Sequence, residues 1–167
     1  MAACQQALPA PREILLDAFD TNCVGRIKQE LWHHRDDQST RYLDIHCWTE
    51  LARMPEATLF DGLFLADVVG VCDVCSGNAD VALRGGVQVP VNAPMLLTPA
   101  MAAATTHLGF GVTANLLYEA LFLFARRMST LDRLRSGRVG WNIVTGVLPH
   151  ERRLPVGQLS LCVHPDC

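Results

Sequence analysis

The segment FDGLFLADVVG, residues 60–70, decides which fold class the sequence favours. Its centre, Leu63 to Ala66, is apolar at every position, so the pattern lacks the polar alternation of a strand with one face in water. A run of this kind is typical of a strand that is covered on both faces, as in a parallel sheet. It ends on a polar residue, Asp67. We therefore predict a buried strand here.

On both sides of this strand, strand-like and helical patterns alternate along the chain. A short apolar run occupies 12–20, and strands are predicted at 108–114 and 138–145; helical patterns lie at 44–54, 93–107 and 116–137. The order strand, helix, strand, helix, strand, helix, strand is typical of parallel strands joined by helical crossovers. It fits both a three-layer sandwich and part of a (β/α)8 barrel.

The helical segments carry more detailed predictions. The first should end at Pro55 and Thr58, and the second should begin near Thr98, because Pro99 favours a first turn. Each of two helices has a predicted apolar face, and the residues at helical spacing are Ile45, Trp48, Leu51 and Ala52 in one, and Leu117, Leu121, Phe124 and Met128 in the other.

Polar residues end three of the apolar runs: Asp67, Thr113 and Asn142. The first run likewise leads into Asp20, Thr21 and Asn22. The carboxyl ends of parallel strands form one face, where ligands bind, so these side chains could share a site. Each could instead cap the next helix or form a turn. The pattern leaves both interpretations open. Similarly, Gly109 and Gly111 could admit a flat ring or allow close helix packing.

Composition limits the classes of protein that the chain can belong to. Its 167 residues are 50% hydrophobic, which is enough for one domain with a core. A net charge of −3 gives no basic surface for nucleic acid. No apolar run reaches the ~18–20 residues that span a bilayer, and the N-terminus lacks a secretory pattern. We expect a cytoplasmic protein with reduced thiols.

Seven cysteines leave a metal-binding alternative open. Cys72 and Cys75 form one C-x-x-C pair, and CVHPDC near the end adds Cys162, His164 and Cys167. These are zinc ligands by type, but a second close pair at zinc-finger spacing is missing. The C-x-x-C pair also does not open a helix, as a thioredoxin-like redox pair should. We interpret the cysteines as buried thiols and assign no metal site.

Several segments together carry a resemblance to a known family. The chain resembles the N-terminal part of the bacterial-luciferase-like flavin-dependent monooxygenases, in the branch of the nitrilotriacetate, EDTA and dibenzothiophene-sulfone monooxygenases. The matching segments are AFDTNCVG (18–25), LWHHRDDQSTRYLDIHCWTELAR (31–53), FDGLFLADVVG (60–70), QVPVNAPMLL (88–97), LGFGVTA (108–114), FARRMSTLD (124–132) and GRVGWNIVT (137–145).

The resemblance implies an α/β fold, namely about four β/α units of a (β/α)8 TIM barrel that is incomplete. It implies reduced FMN as cofactor, supplied by a separate NAD(P)H-dependent flavin reductase, with O2 and a small organic substrate. By resemblance Asp67 and Thr113 contact FMN, Asn142 belongs to the same site, and Phe64 lines the pocket near the ring. No catalytic residue is assigned.

The same resemblance divides the chain into three parts. Residues 1–12 are expected to be a disordered N-terminus, 13–146 the partial barrel, and 147–167 an irregular tail unlike the family. Four β/α units cannot close an eight-stranded barrel, so we expect weak or no FMN binding, little activity by this chain alone, and self-association. The alternative is a non-catalytic half-barrel that pairs with itself or with a full-length homologue.

Overall fold

The computed structural model describes residues 14–25, 31–71 and 78–144. Its four parallel strands form one sheet in the order β1-β2-β3-β4, and they span Asp17–Thr21, Gly62–Ala66, Gly109–Asn115 and Val139–Val144. Each crossover therefore moves the chain in the same direction along the sheet. A doubly wound sandwich reverses its strand order at a switch point, and this sheet does not. The predicted barrel segment is confirmed.

Helices lie between consecutive strands. They are α1 (Ile45–Ala57), α2 (Asp80–Gly85), α3 (Thr98–Ala103) and α4 (Leu121–Leu134), with short 3₁₀ turns at Leu31–His33, Ser39–Arg41, Pro94–Leu96 and Leu116–Tyr118. The start of α3 at Thr98 confirms its prediction. Within the described residues no helix is long and apolar enough to cross a membrane.

The prediction that α1 ends at Pro55 is wrong. The side chain of Asp44 caps its first turn by accepting a hydrogen bond from the backbone N–H of His46 at 2.9 Å. Pro55 lies inside the helix and is buried, and the helix ends at Ala57 with Thr58 as its C-cap, which agrees with the predicted end at Thr58. Pro55 has no N–H to donate to the carbonyl of Leu51, so the helix continues to Ala57 with one backbone hydrogen bond fewer.

The main core lies between the helices and one face of the sheet, which we call the outer face. Its buried members are Trp48, Ala52, Leu63, Leu65, Met101, Ala102, Leu108, Phe110 and Val112. In α1, Trp48 and Ala52 face this core as predicted, whereas Ile45 is 41% exposed. The face predicted for α4 is wrong at Leu117 and Leu121, which are 48% and 62% exposed. Leu117 belongs to the preceding 3₁₀ turn, so it does not share the helical spacing.

One carboxylate fastens α1 to the start of β3. Glu56 accepts hydrogen bonds from the backbone N–H groups of Thr106 (2.7 Å) and Leu108 (2.9 Å) and from the Thr106 hydroxyl (2.6 Å). His107 Nδ1 lies 3.1 Å from Glu56 Oε1. Burial alone would raise the pKa of Glu56, but these hydrogen bonds outweigh it and lower the pKa to about 2. The contact joins residues about 50 positions apart.

Two arginines follow α4 in very different surroundings. Arg138 donates to the backbone carbonyls of Ala102 (3.0 Å) and Leu108 (3.1 Å). Arg135 is 1% exposed, and its guanidinium carbon lies 5.4 Å from the centroid of the Phe110 ring. All three guanidinium nitrogens of Arg135 lack a hydrogen-bond partner in the described structure. Burial, with a smaller effect of the Arg138 charge, lowers the pKa of Arg135 to about 10.

Candidate functional site

The face of the sheet opposite the helices, which we call the inner face, has an aromatic layer at its middle. The strand register places Phe19, Phe64, Gly111 and Gly140 side by side across β1 to β4. The rings of Phe19 and Phe64 stack with centroids 5.4 Å apart. A Cβ atom on Gly111 would lie 3.0 Å from Cδ2 of Phe64, so this glycine leaves room for the Phe64 ring.

A polar pair lies one step closer to the carboxyl ends of β3 and β4. Thr113 and Asn142 are register partners, and Asn142 Nδ2 donates a hydrogen bond to Thr113 Oγ1 at 3.1 Å. Thr113 is buried and Asn142 is half-buried. The structure therefore brings together two of the predicted site residues, on the same face as Phe64.

The chemistry of this pair suits a ligand with both donors and acceptors. In the hydrogen bond from Asn142 Nδ2, Thr113 Oγ1 uses an acceptor position, which leaves the hydroxyl proton for donation. Asn142 keeps its Oδ1 acceptor and a second amide hydrogen. Neither side chain titrates at ordinary pH, so the pair can bind and orient a ligand but cannot act as an acid or base.

Asp67 occupies a different place from this pair. It follows the last residue of β2 and lines a cavity of about 350 Å³, together with the backbone that continues to Val71 and the returning segment 88–93. Thr113 and Asn142 do not line this cavity. The structure thus places Asp67 just beyond the strand, beside the 88–93 segment, in which the Gln88 and Asn92 N–H groups donate to the carbonyls of Val24 and Asn22 after β1.

Two buried polar residues at the end of β1 were noted in the sequence as strand-end residues but were not assigned to the site. Thr21 and Asn22 are each 3% exposed, and Thr21 Oγ1 and Asn22 Oδ1 have no hydrogen-bond partner within the described residues. Thr21 pairs with Ala66 across β1 and β2. Buried polar atoms are nearly always satisfied, so such atoms are candidates for contact with a bound group. The feature of the sequence that could have assigned them to the site is their position directly after an apolar run.

Comparison with known proteins decides the family to which these strands belong. The family model described as luciferase-like monooxygenase matches residues 30–158. The chain belongs to the luciferase-like monooxygenase family. It is 51% identical over 138 residues to a long-chain alkane monooxygenase of Geobacillus thermodenitrificans (strain NG80-2), covering 83% of this chain and 31% of that protein. It is 50% identical over 155 residues to a dimethyl-sulfide monooxygenase of Hyphomicrobium sulfonivorans, covering 93% and 32%.

Solved structures of this family contain the same fold. The crystal structure of a long-chain alkane monooxygenase matches with a TM-score of 0.82 and 47% identity, covering 89% of this chain and 35% of the other. The chain spans about a third of the length of the curated relatives that it matches. Its four strands therefore correspond to the N-terminal third of a luciferase-like TIM barrel.

This chain is less similar to the branch predicted from its sequence than to these two relatives. A dibenzothiophene-sulfone monooxygenase of Rhodococcus erythropolis is 37% identical over 123 residues, covering 73% of this chain and 27% of that protein. The family prediction is confirmed, and within the family the chain is more similar to the alkane and dimethyl-sulfide monooxygenases than to this member.

Some predictions fall outside the described residues. These are the cysteine and histidine positions of the metal-binding alternative, Cys72, Cys75, Cys162, His164 and Cys167, and both predicted terminal segments, 1–12 and 147–167. Among residues 14–25, 31–71 and 78–144 no three His, Cys, Asp or Glu side chains are grouped as metal ligands would be. The division of the chain into three parts remains a prediction.

Proposed function

We propose that this chain is the N-terminal part of an FMNH2-dependent two-component monooxygenase and supplies one side of the flavin site. The observation that carries the proposal is the hydrogen-bonded pair of Thr113 and Asn142, at the carboxyl ends of adjacent parallel strands in a luciferase-like monooxygenase fold. In TIM barrels this end of the strands is where active sites lie. The proposal includes O2 as co-substrate, an NAD(P)H-dependent flavin reductase as the FMNH2 donor, and a cytoplasmic location.

The side chains present fit a flavin. Thr113 and Asn142 offer the donors and acceptors that a polar ring edge needs, and Thr21 Oγ1 and Asn22 Oδ1, which have no partner among the described residues, add two buried acceptors. Phe64 offers a flat apolar surface beside them. When bound, reduced FMN supplies the reaction with O2. In our proposal Thr113 and Asn142 orient the ring, Asp67 borders the site, and Phe64 with Phe19 keeps water from one side of it.

The relatives suggest a class of substrate. By their names, two of them act on a long-chain alkane and on dimethyl sulfide, which are both uncharged and apolar. The aromatic layer of Phe19 and Phe64 is also uncharged and apolar. We therefore propose a small apolar organic substrate rather than a carboxylated one.

This chain by itself should bind FMN weakly or not at all. Four strands surround only part of a barrel, and barrels commonly hold phosphate groups with loops after strands 7 and 8. Saturable binding in the micromolar range, measured by flavin fluorescence with the purified 167-residue chain, would contradict this expectation.

A site-resolved titration tests the location of the flavin site even if binding is weak. Backbone amide NMR spectra recorded at rising FMN concentration should shift first at Phe64, Thr113 and Asn142. Thr113→Val should reduce these shifts, because the hydroxyl is lost while the shape is kept. Thr49→Val on α1 is the matched control and should leave them unchanged. Shifts confined to other parts of the chain, or unaffected by Thr113→Val, would contradict the proposed site.

A further inference from the structure

A groove lies between α4 and the segment that leads into α3, and we call it the α3–α4 groove. Its volume is about 510 Å³, and its apolar side chains are Met95, Leu96, Pro99, Leu123 and Leu131. Leu131 is buried, whereas Leu96 and Leu123 are exposed, so the groove has a buried floor between two exposed walls. Small-molecule sites usually have volumes of about 300–1,000 Å³, and this groove lies within that range.

The charges that line the α3–α4 groove do not balance. Glu119, Arg126 and Arg127 are its charged residues. The Arg127 guanidinium donates to the Glu119 carboxylate, so these two charges offset each other. Arg126 forms no ion pair within the part of the chain that the structure describes. The groove therefore combines an apolar lining with one positive charge that is not offset.

The lining offers few other polar contacts. Thr130 is the remaining polar residue among the described residues that line the groove, and its hydroxyl already donates to the Arg126 carbonyl at 2.8 Å. A ligand with several polar groups would lose their hydration here without gaining hydrogen bonds. The lining therefore favours a molecule with one polar end and an otherwise apolar body.

Arg126 determines the chemistry of that polar end. A guanidinium forms paired, charge-assisted hydrogen bonds with a carboxylate, whereas it repels an ammonium group. From Leu123 to Leu131, α4 advances about 12 Å at its rise of 1.5 Å per residue, which is long enough for a medium-length alkyl chain. We propose that the α3–α4 groove binds a monomeric alkyl carboxylate, with the chain on the apolar walls and the head group at Arg126.

Two other occupants fit the groove less well. A two-fold contact with a second copy would place the same positively charged patch against itself, so that like charges would face each other. A bilayer surface is broad and cannot reach the buried floor at Leu131. The groove lies on the helices rather than on the inner face and needs no flavin. The inference therefore goes beyond the proposed function and does not depend on it.

Titration of the unaltered 167-residue chain with octanoate, followed by backbone amide NMR, tests the site. Octanoate is kept well below the concentration at which it forms micelles. The shifts should be largest at residues 95–99 and 119–131 and should saturate with a dissociation constant of about 1 mM or lower. Octylammonium has the same chain with the opposite charge, and it should bind at least about 3-fold more weakly.

Paired variants on α4 separate the charge from the apolar wall. Arg126→Gln should weaken octanoate binding about 3-fold and remove the preference over octylammonium, whereas Arg133→Gln should have almost no effect. Arg133 is the matched control because it is exposed on the same helix and does not line the groove. Leu123→Asn should weaken binding at least about 3-fold, because part of the apolar wall is lost. Leu121→Asn, at an exposed position outside the lining, should not.

Several outcomes would overturn the proposal. These are shifts centred on the inner face at residues 17–21 and 111–113, equal binding of the two ligands, and equal effects of Arg126→Gln and Arg133→Gln. Shifts at the groove that appear without ligand as the protein concentration rises would show that a second copy covers it. Binding to phosphatidylglycerol vesicles but not to monomeric octanoate would show that a membrane does. The comparison of octanoate with octylammonium uses the unaltered chain, so it stays decisive even if a variant does not fold.

Discussion

The two faces of the same four strands differ in how they are buried. On the outer face Leu65 and Phe110 are 0% and 1% exposed, because the crossover helices pack directly on them. On the inner face Phe19 is 47% exposed, although it stacks on Phe64. Strand side chains alternate between faces, so each strand contributes to both. A β/α unit therefore buries its outer face locally, whereas the aromatic layer on the inner face stays partly exposed among the described residues, although Thr113 on the same face is buried.

The largest expected effect compares one residue type on the two faces. Phe110→Ala should lower the free energy of unfolding by about 3–5 kcal/mol, because a fully buried ring leaves a cavity. Phe19→Ala should cost about 1 kcal/mol in the monomer, since half of its ring is already in water. Urea unfolding followed by circular dichroism, at one low protein concentration, measures both. Equal losses would contradict the distinction between the faces.

The second effect concerns the anchor of the outer face at Glu56. Glu56→Gln should lower the free energy of unfolding by about 1.5–3 kcal/mol at pH 7, because charge-assisted hydrogen bonds are lost and the Leu108 N–H faces an amide group. The folded-state pKa is depressed to about 2, so this stability is present above pH ~4.5 and is lost as the pH falls towards 2. Unfolding measured from pH 7 to 2 should show that dependence only with Glu56 present.

Glu50→Gln is the control for that measurement, since Glu50 lies exposed on the same helix. It should leave both the stability at pH 7 and its acid dependence nearly unchanged. A similar loss in Glu50→Gln would indicate a general charge effect rather than the anchor.

The third prediction compares the free energy of unfolding of variants at two neighbouring arginines. One of the two variants should be more stable than the unaltered chain. Arg135→Met should raise the free energy of unfolding by about 1 kcal/mol, because it removes a buried guanidinium without hydrogen-bond partners in the described structure. Arg138→Met should lower it by about 2 kcal/mol, since two backbone carbonyls lose a charged donor. Thermal and urea unfolding measure both variants. A destabilised Arg135→Met protein would show that the contact with Phe110 outweighs desolvation.

The smallest effect belongs to the inner polar pair. Thr113→Val should cost only about 0.5 kcal/mol, because the half-buried amide of Asn142 can turn to water when it loses Thr113 Oγ1. A double-mutant cycle with Asn142→Ala should give a coupling below about 1 kcal/mol. A coupling above about 2 kcal/mol would make this pair a structural element of the sheet rather than a site open to a ligand.

The elements that could be predicted were those with a local pattern. The apolar run at Leu63 to Ala66 and the periodic segment around Trp48 identified a strand and a helix. The first strand begins at Asp17 instead of residue 12, and Ile14 and Leu15 are 85% and 70% exposed. Apolar residues that precede a strand cannot be distinguished from the strand by composition. Helix α2 was missed because the turn residues around it dominate its six-residue pattern.

The candidate site was predicted in part for the same reason. Parallel strands bring their carboxyl ends together, so the polar residues Thr113 and Asn142 were expected on one face, and the structure places them 3.1 Å apart. Asp67 lies one residue beyond the end of its strand. The alternation of side chains within the strand therefore does not predict the direction of its side chain. Its place beside the 88–93 segment depends on how a loop returns over the sheet.

The sequence by itself determined the alternation of strands and helices, the parallel α/β class, the family, and the polar ends of the strands. The alternation, the class and the polar strand ends follow from patterns within windows of about 10 to 20 residues, and the family follows from the resemblance of several segments along the chain taken together. Only the tertiary structure decided the anchoring of α1 by Glu56, the burial of Arg135 and the exposure of Phe19. Each of these depends on contacts between distant parts of the chain, and short-range patterns contain no information about which distant group will provide them.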